Sequence, residues 1–225
     1  MRVLLRLRAL WLAAVVTCPA TITSCKVLDL SDLNEAFSSN LKSITVSSGG
    51  IVEVGDTIRL DGSGSVTGLI GIFSYAPILD AEWSISDPLI ARLIAVPPPP
   101  PEDSFPRAHV LVRGLQPGNV TVFAELHGIR GSAQVRVIQR IDHIDIRASR
   151  DTLFVGDTVP IITTVVGANG VQITDIPLNF EASGGVQVIW YSAPARVIAT
   201  ASGPATVTAR FRNAAGMLNL TVLSH

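Results

Sequence analysis

One short stretch decides the fold of this chain, and it occurs twice. The segment "VEVGDTIRL" at 52–60 returns as "LFVGDTVPI" at 153–161, at an offset of 101 residues. In each copy a VGDT turn precedes a segment of alternating residues, and a period of two predicts a strand with one buried face. Glycine gives the turn a permissive backbone, and aspartate can accept a hydrogen bond from a nearby amide. The recurrence predicts two copies of one structural unit.

A second pair of segments extends the repeat. The segment "PGNVTVFAEL" at 117–126 resembles "SGPATVTARF" at 202–211, at an offset of 85 residues. Each unit then ends in another alternating stretch, "SAQVRVI" at 132–138 and "MLNLTVL" at 217–223. Several short strands at this spacing predict a β-sandwich in each unit.

The two offsets differ by 16 residues, so the first unit carries an insertion. The stretch "VPPPPPEDSFPR" at 96–107 has no counterpart in the second unit. A run of prolines cannot donate ladder hydrogen bonds and favours polyproline II. The sequence therefore predicts a stiff, exposed loop between two strands here. Recognition by a proline-binding module is the alternative interpretation.

Aromatic residues mark the candidate core and contact positions. Trp83 lies in the middle of "AEWSISDPLIARLI" at 81–94, and Phe180 in "LNFEAS" takes the matching place. A large aromatic there fills the space between two sheets, which predicts both as core aromatics, with ligand stacking the alternative for Trp83. Trp190 and Tyr191 are adjacent, so a strand would expose one of them. That residue is a candidate for ligand contact, edge protection or packing between the domains.

The order of these segments resembles the bacterial Ig-like domain, group 2. The first unit, about 42–139, carries the VGDT turn, "EWSISDPLIARL", "GLQPGNVTVFAEL" and a closing strand. The second, about 143–224, departs in the middle, where Phe180 replaces tryptophan and "SGGV" replaces the SxDP turn. The resemblance implies an all-β fold of two tandem Ig-like β-sandwich domains, 41–140 and 141–225. The family occurs in bacterial surface and periplasmic proteins and brings no catalytic residues.

The N-terminus has the pattern of an export signal. Arg2, Arg6 and Arg8 precede the uncharged apolar run "ALWLAAVV" at 9–16. A positive start, a short apolar run and small residues are typical of a secretory signal. The run is too short to cross about 30 Å of hydrocarbon as a helix. We therefore predict a signal peptide over 1–24.

Cys25 ends a motif, "ITSC" at 22–25, that resembles the bacterial lipobox. The resemblance implies cleavage before Cys25, diacylglycerol on its sulfur and acylation of the new amino group. One acyl chain holds a protein on a membrane only marginally, whereas two or three hold it durably. Residues 25–40 are then a lipidated tether in the bacterial cell envelope, periplasmic or surface-exposed. An ordinary secretory signal with a chance cysteine is the alternative.

Composition and motifs favour no catalytic chemistry. Removing 1–24 takes away three arginines and no acid, which leaves 14 basic residues against 18 acidic ones. Without a basic patch, the sequence predicts no nucleic-acid partner. No catalytic triad or phosphate loop is recognisable, so no cofactor is predicted. His143 between Asp142 and Asp145 could hold a metal weakly, and a charged strand is the alternative.

These patterns predict a non-enzymatic envelope lipoprotein. Its Ig-like modules would serve adhesion, binding a surface protein or a glycan. The alternative is a structural spacer or assembly subunit without a ligand of its own. An enzyme is the third possibility, although the sequence offers no catalytic set for it.

Overall fold

The described part of the chain is built from strands. A computed structural model of the protein describes residues 41–47, 49–68, 71–76, 78–94, 108–191 and 194–224. In these ranges there are eighteen strands and no helix, which confirms the predicted all-β class. The predicted signal peptide, the tether and Cys25 lie outside them.

The strands divide between the two copies of the repeat. Those of the first copy are β1 (Leu41–Val46), β2 (Ile51–Glu53), β3 (Thr57–Gly68), β4 (Gly71–Ala76), β5 (Glu82–Ile85), β6 (Ala91–Ile94), β7 (Ala108–Gly114), β8 (Gly118–Leu126) and β9 (Ile129–Ile138). Those of the second are β10 (Ile141–Ala148), β11 (Thr152–Phe154), β12 (Thr158–Gly167), β13 (Gln172–Ile173), β14 (Asn179–Gly184), β15 (Val186–Ile189), β16 (Arg196–Ala199), β17 (Gly203–Phe211) and β18 (Ala214–Leu223).

Both halves have the same strand order. In the first half, one sheet runs β1-β3-β7-β6 with β4 added to β3, and the other runs β2-β9-β8-β5. In the second half, the corresponding sheets are β10-β12-β16-β15, with β13 added to β12, and β11-β18-β17-β14. In the immunoglobulin sandwich, a sheet with strand order A-B-E-D faces a sheet of strands C, F and G. Here β1-β3-β7-β6 has the first order, and β5-β8-β9 has the order C-F-G. Each half is therefore an Ig-like β-sandwich, called below the first and the second sandwich.

Each sandwich has its own group of buried side chains. Val52, Leu60 and Val112 are fully buried in the first core. Ile51 and Ile138 belong to strands of the first sandwich, yet they pack against the second core. Backbone contacts also group all the described residues into one compact unit. The division into domains at 41–140 and 141–225 therefore stays a prediction.

The VGDT turn carries the chain from one sheet to the other in both sandwiches. Gly55 and Gly156 both have a φ of 93°, a conformation that residues with a Cβ rarely adopt. The amide of Gly55 donates to the carbonyl of Gly114 at 2.9 Å, and that of Gly156 to Ala199 at 2.8 Å. The same turn, fixed by the same hydrogen bond, thus produces both two-sheet structures.

A second pair of glycines lets the first strand of each sandwich approach the facing sheet. A Cβ at Gly131 of β9 would lie 2.4 Å from the carbonyl oxygen of Ile44. One at Gly216 of β18 would lie 2.0 Å from the carbonyl oxygen of Ile144. Only glycine permits so close a backbone approach. Neither position was predicted from the sequence, although their separation of 85 residues is the offset of the second pair of repeated segments.

The extra residues of the first sandwich fall in more than one loop. Equivalent ladder positions differ by 101 residues in β3 and β12, by 97 in β5 and β14, by 95 in β6 and β15, and by 85 in β7 and β16. The largest step lies between β6 and β7, where the proline-rich stretch at 96–107 was predicted as a loop. That stretch holds most of the insertion, and its own structure lies outside the described residues.

Candidate interaction surface

Trp83 and Phe180 occupy equivalent places in the two sandwiches. Trp83 of β5 pairs with Ala124 of β8, and Phe180 of β14 pairs with Ala209 of β17. Both are half-buried and pack against the core of their own sandwich. The Trp83 ring also faces Gly62 of β3, where a Cβ would lie 3.1 Å from the ring atom Cζ2. Their role in filling the cores stays a prediction.

Trp190 and Tyr191 are both exposed. The exposed fraction is 64% for Trp190 and 80% for Tyr191, and the ring centroids lie 6.3 Å apart at 74°. The sequence predicted that a strand would expose one of them, and the structure exposes both. Because β15 ends at Ile189, the two residues lie beyond the strand and its alternation no longer sorts them. Because the two rings are in edge-to-face contact, they form one exposed aromatic pair after the end of β15.

The strand before this pair belongs to the sheet β10-β12-β16-β15, whose solvent side we call the outer face of the second sandwich. On it, Pro160 and Ile162 are exposed, whereas Ile189 and Ile198 are half-buried. Exposed polar residues on the same side include Thr158, Gln187 and Arg196. Pro160 and Ile189 both pair with Arg196, so the three residues form one row on the outer side of the sheet, with Arg196 between the other two. Ile162 is 66% exposed. The outer face is therefore a mixed surface of apolar and polar side chains.

Of the four equivalent positions in the first sandwich, three are charged, and the fourth, Ile94 in the place of Ile189, is apolar. Arg59 and Asp61 of β3 stand where the second sandwich has Pro160 and Ile162. Their side chains form an ion pair, with Nε to Oδ1 at 2.7 Å. Arg113 likewise stands in the place of Ile198.

Two arginines lie on the outer face, one within it and one at its edge. Arg196 of β16 is exposed between Pro160 and Ile189. Arg147 of β10 lies opposite Ile162, and its side chain is 78% exposed. Its guanidinium reaches the carboxylate of Asp145 only at 3.8 Å, a long surface ion pair. Both guanidinium groups are therefore accessible, and the one at the edge lies beside a carboxylate.

His143 lies on the same edge strand, among carboxylates. Its Nδ1 lies 2.8 Å from Oδ2 of Asp142, and its Nε2 lies 3.7 Å from Oδ2 of Asp145. The hydrogen bond to Asp142 is the main reason that the pKa of His143 is raised above its ordinary value, and the charge of Asp145 acts in the same direction. Within the described ranges, no three His, Cys, Asp or Glu side chains are grouped to hold a metal ion. The charged-strand interpretation accounts for these contacts.

The connection between the sandwiches is short and hydrogen-bonded. β9 ends at Ile138 and β10 begins at Ile141, which leaves two linking residues. The amide of Ile141 donates to Oε2 of Glu53 at 3.0 Å. The carbonyl of Arg140 accepts from the amide of Ala168 at 2.7 Å. Backbone groups at both ends of the link are therefore hydrogen-bonded to the sandwiches.

Side chains from the second sandwich reinforce this connection. Arg212, in the turn between β17 and β18, donates to the carbonyl of Ile51 and lies 3.9 Å from Asp56. In the other direction, Arg136 donates to the carbonyl of Asp175 at 3.3 Å. Arg212 has a φ of 51°, uncommon for a residue with a Cβ. The turn thus aims a guanidinium at the first sandwich.

An open groove of about 340 Å³ adjoins the connection. It is lined by residues 117–119 and 136–139 of one side and 169 and 171–174 of the other. This volume is at the low end for small-molecule sites, which are usually enclosed and apolar.

In the part of the chain that the structure describes, no helix has the length and apolarity to cross a membrane.

Comparison with known proteins gives neither a family nor a function. No protein-family model and no curated protein matches the chain. Three of the solved structures that match it have TM-scores below 0.5, and the Ig-like assignment depends on the strand order. They include domains 5–6 of the S-layer protein SbsC, with 16% identity over 82% of this chain and 98% of that chain and a TM-score of 0.34. The Escherichia coli adhesin FdeC has 16% identity over 80% and 64%, with a TM-score of 0.32. The Yersinia pseudotuberculosis adhesin InvE has 13% over 81% and 60%, with a TM-score of 0.34.

Proposed function

We propose that this chain is a non-enzymatic lipoprotein of a bacterial cell envelope. Its two modules, of the group 2 bacterial Ig-like type, bind a surface protein or a glycan in adhesion. The signal pattern over 1–24 and the lipobox ending at Cys25 support export and a lipid anchor. Residues 25–40 then tether the sandwiches to the membrane.

The hydrogen-bonded connection between the two Ig-like sandwiches is the observation that best supports this proposal. Glu53, Arg212 and the two-residue link fix neighbouring parts of both sandwiches by hydrogen bonds. Groups that are already ordered lose less conformational freedom when a partner binds. This arrangement suits a protein that displays a surface at a distance from its anchor.

The anchor is tested with a matched pair of cysteine variants. Cys25→Ala removes the proposed acylation site, whereas Cys18→Ala leaves it in place. In cells fed labelled palmitate, we expect label and membrane association in the wild type and in Cys18→Ala, and neither in Cys25→Ala. Label that persists in Cys25→Ala would contradict the anchor.

A structural spacer is the second candidate function, and the same hydrogen-bonded connection favours it. Replacing residues 141–225 with an unrelated sandwich of equal length distinguishes the two functions. Adhesion of cells that carry the hybrid would be lost if the second sandwich binds a partner. Adhesion would persist if the second sandwich only provides length.

A further inference from the structure

We propose that the groove beside the connection binds an oligosaccharide that carries a carboxylate. This site deepens the proposed function and rests on its binding role, with a glycan as the partner. Both sandwiches contribute to it. One wall comes from the start of β8 and the end of β9 with the link, and the other comes from β13 and the loop before it.

Half of the residues that line the groove have polar side chains. Four are amides, one is a hydroxyl and one is a guanidinium: Asn119, Gln139, Asn169, Gln172, Thr174 and Arg136. Side-chain amides both donate and accept hydrogen bonds, as the hydroxyls of a sugar do. Of the apolar lining residues, Val137 and Ile138 are buried, whereas Val171 is 60% exposed and offers hydrocarbon to the C–H groups of a sugar ring. A ligand rich in hydroxyls therefore suits the groove better than an apolar one.

Arg136 gives the groove a positive charge. The residue is half-buried, and its Nη1 donates to the backbone carbonyl of Asp175 at 3.3 Å. Within the described ranges this guanidinium forms no ion pair, unlike those of Arg59 and Arg150, and no Asp or Glu is among the lining residues. Guanidinium pairs well with carboxylates. A carboxylate on the ligand would therefore supply the anionic partner that the described residues do not.

The wall that the second sandwich provides is held by its own hydrogen bonds. The amide of Val171 donates to Oδ1 of Asn169 at 3.1 Å, and the amide of Gly167 donates to the carbonyl of Val171 at 2.9 Å. The amide of Ala168 donates to the carbonyl of Arg140 in the link at 2.7 Å. Groups that are already ordered lose less conformational freedom on binding. Ordering this wall around a ligand therefore costs little entropy.

A protein partner suits the groove less well than a glycan does. Protein contacts are usually anchored by aromatic side chains in an apolar centre. Among the described residues that line the groove there is no aromatic ring. A volume of about 340 Å³ instead suits a small ligand, such as the end of an oligosaccharide.

The site is tested by calorimetric titration of the purified full chain in detergent. Two acidic probes, sialyllactose and a hyaluronan tetrasaccharide, distinguish a sialic acid from a uronic acid as the source of the carboxylate. Lactose and chitotetraose are their neutral counterparts. We expect at least one acidic probe to bind, and to bind at least about tenfold more tightly than its neutral counterpart, because a charged hydrogen bond is lost in the latter.

Substitutions then locate the binding site. Arg136→Gln should remove the preference for the acidic probe, and Arg136→Lys should restore part of it, since lysine keeps the charge but not the planar fork. Gln172→Ala should weaken binding about three- to tenfold through the loss of a hydrogen bond. The matched controls, Arg196→Gln and Gln187→Ala, lie outside the groove and should bind as the wild type does. If Arg136→Gln lowers the melting temperature, the exposed Gln172 tests the same groove.

Three results would overturn the inference. The first is that neither acidic probe binds. The second is equal affinity for an acidic probe and its neutral counterpart. The third is unchanged affinity in Arg136→Gln and Gln172→Ala.

An adhesion assay separates this site from the proposed function. If only the groove is wrong, cells with Arg136→Gln still adhere, whereas cells with the hybrid at 141–225 do not. If the adhesive function is wrong, both kinds of cell behave as the wild type. Adhesion that is lost in Arg136→Gln without binding of an acidic probe would assign the groove to a protein partner and overturn the inference. The palmitate experiment on Cys25 involves none of these residues, so the anchor can fail separately.

Discussion

Two tryptophans of the described residues differ in their surroundings. Trp83 is half-buried between the sheets of the first sandwich, against its core and Gly62. Trp190 is 64% exposed beyond the end of β15. The same side chain should therefore contribute to stability at one position and to contact at the other.

Replacing each tryptophan with alanine separates these roles. We expect Trp83→Ala to lower the free energy of unfolding by about 3 kcal/mol, the lower end for aromatic truncation in a core, since the ring is only half-buried. Trp190→Ala should change it by less than about 0.5 kcal/mol. Guanidinium unfolding curves measure both. Equal effects would show that Trp83 does not fill the core.

The pKa of His143 gives a pH-dependent prediction. The hydrogen bond to Asp142 raises this pKa, so His143 adds stability that is fully present below its unfolded pKa of about 6.5. That contribution is lost as the pH rises through the folded pKa. Asp142→Asn should move the pKa, measured by NMR titration, back toward 6.5. It should lower the melting temperature at about pH 5, with the histidine contribution absent at about pH 9. An unchanged pKa would contradict the contact.

At the scale of elements, the VGDT turn is the unit that repeats most faithfully. Gly55 and Gly156 have the same φ, and a Cβ at either would meet no atom within 4 Å. The turn therefore needs glycine for its backbone conformation and not for space. Because the turn occurs twice, the effect of replacing its glycine on stability can be measured at two positions.

Substituting these glycines tests that distinction. Gly55→Ala and Gly156→Ala should each cost about 1–2 kcal/mol of stability, because a Cβ is strained at positive φ. Thr57→Ala and Thr158→Ala, exposed next to the same turns, should stay within about 0.5 kcal/mol. Thermal or chemical unfolding compares the four variants. A neutral glycine substitution would mean that the turn relaxes to another conformation.

At the scale of the whole molecule, the connection links two sandwiches that otherwise have separate cores. Ile51 and Ile138 extend from the first sandwich to the second core. Glu53 and Arg212 add hydrogen bonds to backbone groups across the connection. Unfolding of one sandwich should therefore affect the other.

Glu53→Ala tests this coupling. It removes the acceptor of the Ile141 amide, which is partly buried, and should cost about 1–3 kcal/mol. Hydrogen exchange at that amide should become faster. Glu181→Ala, whose side chain is 67% exposed in a surface ion pair with Arg210, is the control and should have little effect. Unchanged exchange at Ile141 would show that the connection does not depend on Glu53.

The amino-acid sequence by itself determined the class of fold, the repeat and the faces of the strands. Alternation and turn residues act over a few neighbours, so the phase of "VTVFAEL" and the turn at Gly55 could be predicted from the chain alone. The proposed acylation of Cys25 is likewise a local pattern, and it stays a prediction.

Tertiary structure decided the relations between distant residues. Gly131 meets Ile44, and Glu53 meets Ile141, only because strands far apart in the chain are brought together. The outer face also depends on pairing, since the register of β12, β16 and β15 places Arg196 between Pro160 and Ile189. Register and sheet order arise from the packing of a whole sandwich, and no short segment contains that information.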